Sequence, residues 1–543
     1  MTLSHEEREI YQATLTNRWY AEGYYSDQTF GEELKLAAQK FPDSGFVFAS
    51  ESGRRRINFP EVLDLSGRAA GGLQSLGVRP GDTVAIQVSN RPELVIAYYA
   101  AFLAGAIVVP ITHIYGPGEM SFILKESRAK VLIVPDVWRS INYVDRVNNL
   151  ADTPDLEHVI MIGEGSVGNS TSWDELMRHA PGEPVAVSAD DVCTIIYTSG
   201  TTSSPKGVQH THNTLLAEMH TAAPMMAIHQ GETKLVPWPA GHVAGLIGIC
   251  AGIVSGINVV LMDRWDVDLA VQLIEEFHCV VGSGTPLHIA AILDAAASTS
   301  RDVSALRYMQ VGGANVPPEL VQRAERAGLS IARAYGSTEH PTSAFSSPDA
   351  PADKRSTTDG HPCFGDEIQI VDDFGLPLPT GSEGEIVTRG PTQFVGYRDQ
   401  ELNIESFLPG GWFLTGDIGR LDEDGYLTVT DRRKDIIIRG GENIASKEVE
   451  DILAKHPRVL EAAVVAEPDP KYGERVAAFV LLNEGDSLGL DEVCALFEEA
   501  GVARQKTPER VIVTKELPRT PSGKVQKFAL RDLLREEARA TSS

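Results

Sequence analysis

The sequence predicts an α/β protein: a large N-terminal domain of mixed, mostly parallel sheets with helices plus a β subdomain, followed by a small α+β C-terminal domain. Three observations predict it. Helical patterns alternate with short apolar runs from about residue 60 to 135, and again from Cys193 to about Arg333; this is the pattern of βαβ units, in which helices cover a parallel sheet. From about Phe364 the texture changes to shorter strands broken by Gly, Pro and Asp, as antiparallel β requires. With 543 residues the chain also exceeds the size at which single cores stop growing, so more than one domain is expected.

Taken in order, EVLDLSGRAAGGLQSLG reads as a helix, DTVAIQV as a strand, ELVIAYYAAFLAGA as a helix, and IVVPI and KVLIVPD as strands. After Cys193, CTIIY is a buried strand and HNTLLAEMHTAAPMM a helix, which places the intervening TSGTTSSPKG, Thr198 to Gly207, between a strand and a helix. Strands KLVPW, CVVGSG and YMQVGGA follow between further helices. The nineteen uncharged residues from Ala244 to Met262 carry Gly248, Gly252 and Gly256 at four-residue spacing, a pattern shared with membrane spans. Ser255-Gly256 breaks the run and the flanks lack a Lys/Arg bias, so it reads instead as a core helix followed by a strand, Asn258 to Met262, with no transmembrane span. DEIQIVDDFGLPLPTGSEGEIVTRG is antiparallel β. The basic, turn-like DRRKD at Asp431 to Asp435 sets a boundary, giving domains 1–432 and 433–543.

Composition narrows the function classes. A hydrophobic share of 42% and a charged share of 23% describe a globular chain. A net charge of −27 speaks against nucleic acid, because neutralising many phosphates takes clustered Lys and Arg. The five cysteines are far apart and form no C-x-x-C pair, as expected of buried free thiols. The start MTLSHEEREIYQ is acidic and polar, so a cytoplasmic location is expected.

TSGTTSSPKG gathers six hydroxyl side chains before a Lys-Gly pair. Backbone N–H groups, hydroxyls and one Lys can converge on phosphate oxygens. It is not a Walker loop, although Gly200 and Lys206 have the right spacing: Pro205 stands where Gly should be, and Gly207 where Ser or Thr should hold magnesium. On its own residues the stretch is either a phosphate site or a flexible polar loop.

Further motifs follow in order: YGSTE at Tyr335 to Glu339, GWFLTGD at Gly411 to Asp417, DRRKDIIIRGGENI at Asp431 to Ile444, and PRTPSGK at Pro518 to Lys524. Together with the hydroxyl stretch they resemble the adenylate-forming superfamily, in particular its acyl-CoA synthetases, and the resemblance runs from about residue 30 to near the C-terminus. It implies ATP and CoA as co-substrates, Mg2+ as the ion and a carboxylic acid as the substrate. By this resemblance Thr198, Ser199, Gly200, Thr201, Thr202 and Lys206 close over the β- and γ-phosphates, and Ser203 departs from a usual Gly. Gly312, Gly313 and Ala314 lie under the adenine, Tyr335 and Gly336 beside it, Thr338 on the α-phosphate and Glu339 on magnesium. Asp417 accepts the ribose hydroxyls and Arg432 lies near the same sugar. Lys524 bridges the carboxylate and the α-phosphate, where its charge stabilises the transition state. The small domain then swings about Lys434 and brings Gly440, Gly441, Glu442 and Asn443 to the site for CoA.

Singly, Glu339 would be a solvated acid, Asp417 a turn residue, His242 a structural His and Lys524 a surface Lys. The ordered series is what gives them roles. The acyl pocket is expected from Trp238, His242, Val243, Ala244, His340 and Pro341; without Lys or Arg to pair a second acid group, it suits an apolar monocarboxylate, whether medium-chain, alicyclic or aromatic. GDSL at Gly485 to Leu488 resembles a carrier attachment site, but it precedes Lys524 with no carrier domain after it, so Ser487 is expected in a loop that starts a helix. A stand-alone enzyme that loads a carrier protein is the alternative to a CoA ligase. A luciferase-type oxygenase is a more distant one, and a dead regulator would be expected to lack Glu339 or Lys524. A homodimer is left open.

Overall fold

The computed structural model describes residues 4–51, 53–182, 185–198, 205–313, 316–439, 442–469, 471–483, 485–500, 504–520 and 523–542. The chain divides into two compact units, Met1–Glu367 with Thr388–Phe413, and Ile368–Val387 with Leu414–Ser543. The expected boundary at 432/433 falls inside the second unit.

The first unit holds two large sheets. One runs in the order Gly396–Tyr397, Lys206–Thr211, Val192–Thr198, Ile107–Pro110, Thr83–Ile86, Ala129–Pro135, His158–Ile162, Thr171–Ser172. From Val192–Thr198 to His158–Ile162 each neighbouring pair is parallel. Helices cover such strands on both faces, so they are mostly apolar and buried: all four residues of Thr83–Ile86 are buried. The other sheet has nine strands, and its central members Asn258–Met262, Thr233–Val236, Cys279–Gly284, Tyr308–Val311 and Ser330–Tyr335 are likewise parallel.

The surroundings of the hydroxyl stretch differ from expectation. Lys206–Thr211 is a strand, antiparallel to Val192–Thr198 with Thr198 opposite Lys206, and the helix begins only at His212. The stretch therefore joins two strands of a hairpin rather than a strand and a helix. Helical composition beyond Gly207 hid this, because the strand has only two apolar-facing positions, Val208 packing against Phe394 and Tyr397, and His210 buried at 0% exposure.

The uncharged segment is a helix, Val243–Ser255, stopped by Gly256 at φ 65° and followed by strand Asn258–Met262. Its glycines allow close approach: a Cβ on Gly248 would lie 2.8 Å from Val236 Cγ1, and one on Gly252 2.9 Å from Val259 Cγ2. No helix among the described residues is long and apolar enough to cross a membrane.

In the second unit Leu427–Arg432 pairs antiparallel with Asp417 to Leu421, as the turn-rich texture predicts. The C-terminal sheet runs Glu442–Ile444, Ile437–Arg439, Gly473–Leu482, Val459–Asp469, with Arg510–Val513 parallel to Gly473–Leu482. Helices Ser446–Leu453, Leu490–Glu499 and Lys527–Ser542 accompany it, giving an α+β body. Ser487 is exposed in the loop before Leu490–Glu499. Four of the five cysteines are buried, and all five are free thiols.

Candidate active site

In the first unit the YGSTE segment leaves the C-terminal end of a parallel strand. Tyr308–Val311 and Ser330–Tyr335 are neighbours, with Val311 opposite Arg333, so Gly312-Gly313 and Tyr335-Gly336 emerge side by side, the place where parallel sheets receive ligands. Bulk is excluded at both. A Cβ on Gly312 would meet the Ala334 carbonyl oxygen at 2.9 Å, and one on Gly336 would collide with the Pro341 carbonyl. Gly313 has φ 76°, a left-handed conformation that favours glycine.

Beyond Gly336 the chain folds into a tight turn. Ser337 N–H donates to the His340 carbonyl at 2.9 Å, and His340 N–H to Ser337 Oγ at 3.2 Å. Thr338 and Glu339 sit at its tip, each fixed from outside. His210 Nε2 donates to the Thr338 carbonyl at 2.8 Å, and its Nδ1 lies 3.1 Å from Thr214 Oγ1. Burial pulls the His210 pKa down to about 4, which keeps the ring neutral and able to accept at Nδ1. Glu339 is held twice: its carbonyl accepts from Phe394 N–H at 2.7 Å, and Oε1 accepts from the Tyr397 hydroxyl at 2.7 Å. Burial first, and then the Glu339 charge, raise the Tyr397 pKa, so the phenol stays a donor. Lys206 Nζ stands 5.0 Å from the centre of the same Tyr397 ring, within cation–π range.

Tyr397 and His210 belong to no motif singled out from the sequence. A signal existed only for His210, a histidine at an inward position three residues beyond Gly207.

Four of the expected acyl residues, Trp238, His242, Val243 and Ala244, lie around an aromatic stack. The Trp238 and His242 rings lie 5.6 Å apart at an interplanar angle of 15°. Trp238 Nε1 donates to Ser283 Oγ at 3.1 Å, and the Asn90 side chain bonds both the Trp238 carbonyl, at 2.8 Å, and Ala240 N–H, at 3.0 Å. His242 Nδ1 accepts from Ala244 N–H at 3.2 Å and so caps the helix that Val243 and Ala244 begin. His288, another ring beside Trp238, was missed; burial lowers its pKa to about 4. The His340 side chain is 1% exposed, with Nε2 3.1 Å from Asp366 Oδ1. Pro341 closes the turn against Gly336.

The second unit carries the remaining residues. Asp417 and Arg432 face each other across two strands, with Arg432 Nε 3.0 Å from Asp417 Oδ1. Lys434 has its pKa pulled down to about 8, first by burial and then by the neighbouring Arg432 charge. Asp431 accepts from Ser446 N–H and, at 3.0 Å, from Ser446 Oγ; Lys527 Nζ donates to that Oγ at 2.7 Å and pairs with Glu450 at 2.8 Å. Lys524 follows a turn in which its N–H donates to Thr520 Oγ1 at 3.1 Å and its carbonyl accepts from Thr520 N–H at 2.7 Å. Glu442 and Asn443 lie on a strand paired with Ile437–Arg439. Ser199, Gly200, Thr201, Thr202, Ser203, Ala314, Gly440 and Gly441 lie outside the described residues.

No group of three or more His, Cys, Asp or Glu among the described residues is gathered to hold a metal. The donor set at the turn is one carboxylate, Glu339, beside one hydroxyl, Thr338. That fits a magnesium ion which takes most of its oxygens from phosphate and water, and not an all-protein cage.

Comparison with known proteins agrees over most of the chain. A family model described as AMP-binding enzyme matches residues 34–398, and one for the AMP-binding enzyme C-terminal domain matches 448–524. The medium-chain fatty-acid–CoA ligase of Escherichia coli K12 is 33% identical over 522 residues, covering 95% of this chain and 92% of the relative. Among solved structures, an anthranilate CoA ligase in complex with anthranoyl-AMP aligns with a TM-score of 0.85 at 26% identity, covering 94% of this chain and 98% of the other. The o-succinylbenzoate coenzyme A synthetase of Bacillus subtilis, in complex with ATP and magnesium ion, aligns at 0.80 with 30% identity, covering 94% and 100%.

Proposed function

The chain belongs to the AMP-binding enzyme family and carries that family's C-terminal domain, and from this premise we propose that it joins an apolar monocarboxylic acid to CoA through an acyl-AMP. It is an AMP-forming acid–thiol ligase. In the first step a carboxylate oxygen attacks the α-phosphorus of ATP, the bond to the bridging oxygen breaks, and pyrophosphate leaves. In the second the CoA sulfur attacks the acyl carbonyl, AMP leaves with the oxygen, and the thiol proton passes to solvent.

The task of the chain's own residues is to place charge and exclude disorder. Thr198 to Thr202 and Lys206 hold the β- and γ-phosphates. Gly312 and Gly313 leave room for the adenine beside Tyr335 and Gly336, and Ala314 is assigned to the same role. Asp417 accepts from the ribose, with Arg432 setting its orientation. Thr338 donates to the α-phosphate. Glu339 is the residue that would hold magnesium, which supplies neutralising charge to the phosphates when bound. Lys524 supplies the ammonium that stabilises the adenylation transition state. Residues 433–543 turn about Lys434 between the two steps, and Gly440 to Asn443 serve CoA.

The observation that carries the proposal is the double anchoring of Glu339, by Phe394 N–H on the backbone and Tyr397 on the carboxylate, next to the small-residue ends of two parallel strands. A carboxylate fixed this way has lost its freedom before any ligand arrives, which is what binding an ion in one position requires. For the acid, the stacked Trp238–His242 pair favours a flat or extended apolar chain over one bearing a second charge.

The test is a panel of medium-chain, alicyclic and aromatic acids with ATP, magnesium and CoA, read as AMP, pyrophosphate and thioester. CoA-dependent formation of all three is expected with at least one class. AMP release that ignores CoA and responds to an added carrier protein would replace CoA by a carrier as the acceptor.

A further inference from the structure

Apart from the residues above, helix His5–Glu22 and the segment 390–411 line a half-open cavity of about 140 Å3 in the first unit. Arg8, Tyr11, Leu15 and Trp19 recur at three- and four-residue spacing, so one face of the helix is turned to it. A cavity of about 150 Å3 admits one benzene, so this space suits a body of about six or seven carbon atoms.

Arg8 gives the cavity its positive charge. The side chain is half-buried, and burial pulls its pKa down, opposed only by the charge of Glu9 next in the chain. Among the described residues it makes no ion pair: its hydrogen bonds go to the neutral Val395 carbonyl and, at 3.3 Å, to Gln400 Oε1, and its guanidinium stands 5.2 Å from the Phe407 ring. A guanidinium has five N–H donors, so Arg8 keeps donors for a further acceptor. A charge drawn out of water is ordinarily met by an opposite one, and this planar fork matches a carboxylate two bonds at a time.

The other charged group in the wall lies away from Arg8. Asp190 accepts from the Tyr20 hydroxyl at 3.1 Å and from Asn213 Nδ2 at 2.8 Å. Tyr20 follows Arg8 by twelve residues, about 18 Å along the helix. An anion seated on Arg8 therefore does not face Asp190.

We infer that this cavity is a binding site for a small apolar monocarboxylate, with its carboxylate on Arg8 and its body against Tyr11 and Leu15. Inorganic phosphate suits it poorly, because every face of that ion is charged and the wall beside Arg8 is largely apolar. A dicarboxylate would carry its second charge toward no cation. The cavity shares no residue with the expected acyl pocket, so the inference stands apart from the proposed ligase activity.

Calorimetric titration of the full-length protein with benzoate, and with benzamide as its uncharged counterpart, tests it. Because the acyl pocket is itself expected to take acids, the titration is repeated in Trp238→Ala. One-to-one binding of benzoate is expected to remain in that background, at least about tenfold tighter than benzamide. Adding Arg8→Met should weaken it by about tenfold or more. Gln12→Glu sets a carboxylate one helical turn from Arg8 at a half-buried position that also lines the cavity, and should weaken it as much without removing any packing. No benzoate binding in Trp238→Ala would confine the probe to the acyl pocket and overturn the inference. Equal affinity for benzoate and benzamide would overturn it too, since Arg8 would then select no charge. In the otherwise unmodified protein Gln12→Glu should lower the number of benzoate sites by one; an unchanged number overturns the inference even where Trp238→Ala or Arg8→Met fails to fold.

Discussion

The Tyr397 hydroxyl donates to Glu339 Oε1 at 2.7 Å, across a sequence separation of 58 residues. The phenol keeps its proton because burial and the adjacent carboxylate both oppose ionisation. Tyr397→Phe removes one hydrogen bond to a charged group, about 1.5–3 kcal/mol, without opening a cavity. The expected outcome is a fall in kcat/KM of about tenfold or more, with a raised magnesium requirement and little change in unfolding temperature. Glu339→Gln should cost more, about 10²–10³ in kcat, because it removes the charge itself. Equal activity of Tyr397→Phe and the unmodified enzyme at limiting magnesium would show that the anchoring has no catalytic value.

Lys524 separates the two proposed steps. Lys524→Ala should lower acyl-AMP formation by about 10²–10³, while thioester formation from supplied acyl-AMP stays largely intact. Single-turnover measurement of each half-reaction distinguishes them. Equal losses in both would contradict a turning C-terminal segment.

His210 gives a pH dependence of stability with a definite sign. Its folded pKa of about 4 lies below the usual 6.5, so the unfolded state binds the proton more readily. The contribution is fully present above pH 6.5 and is lost as pH falls toward 4, on the order of 3 kcal/mol in all. His210→Gln keeps an N–H donor for the Thr338 carbonyl but cannot titrate. Unfolding midpoints at pH 7 and pH 4.5 should show the unmodified protein losing its advantage over the variant as pH falls. A difference independent of pH would mean that His210 is not held neutral.

The glycine face of helix Val243–Ser255 can be tested by overpacking. Gly248→Val places a branched side chain where a Cβ alone is already 2.8 Å from Val236, and should destabilise by about 1–3 kcal/mol. A lower unfolding temperature with no loss of expression is the expected result. An unchanged one would show that helix and strand are not in close contact.

The sequence carried the alternation of helices and strands because burial on both faces leaves apolar runs that need no tertiary information. It carried the site as an ordered series of short stretches, and Thr338, Glu339, Gly312 and Asp417 are recognisable only through that series, since each taken singly has a blander use. What it did not carry is contact across distance. Tyr397 sits in VGYRD, an unremarkable edge-strand sequence, and acquires its role only when Gly396–Tyr397 pairs with Val208 and Gln209. His340 is a second case: its contact with Asp366 is equally absent from the local sequence. The hairpin after the hydroxyl stretch was hidden for a third reason: four good helix formers downstream outweighed a two-position strand pattern.

The Asp431–Ser446 contact reaches past Lys434, from the residue three before it to one twelve after it. A pivot at Lys434, as proposed, would thus have a clasp. Rotation there would separate a buried carboxylate from two donors and leave Lys527 to be neutralised by Glu450 and Asp435. At about 1.5 kcal/mol per bond, the fastened arrangement would outweigh the released one about a hundredfold before any ligand is counted. The rhythm of the enzyme would then be governed by a serine and an aspartate that never meet a substrate, and a change in turnover could be sought there without disturbing the chemistry.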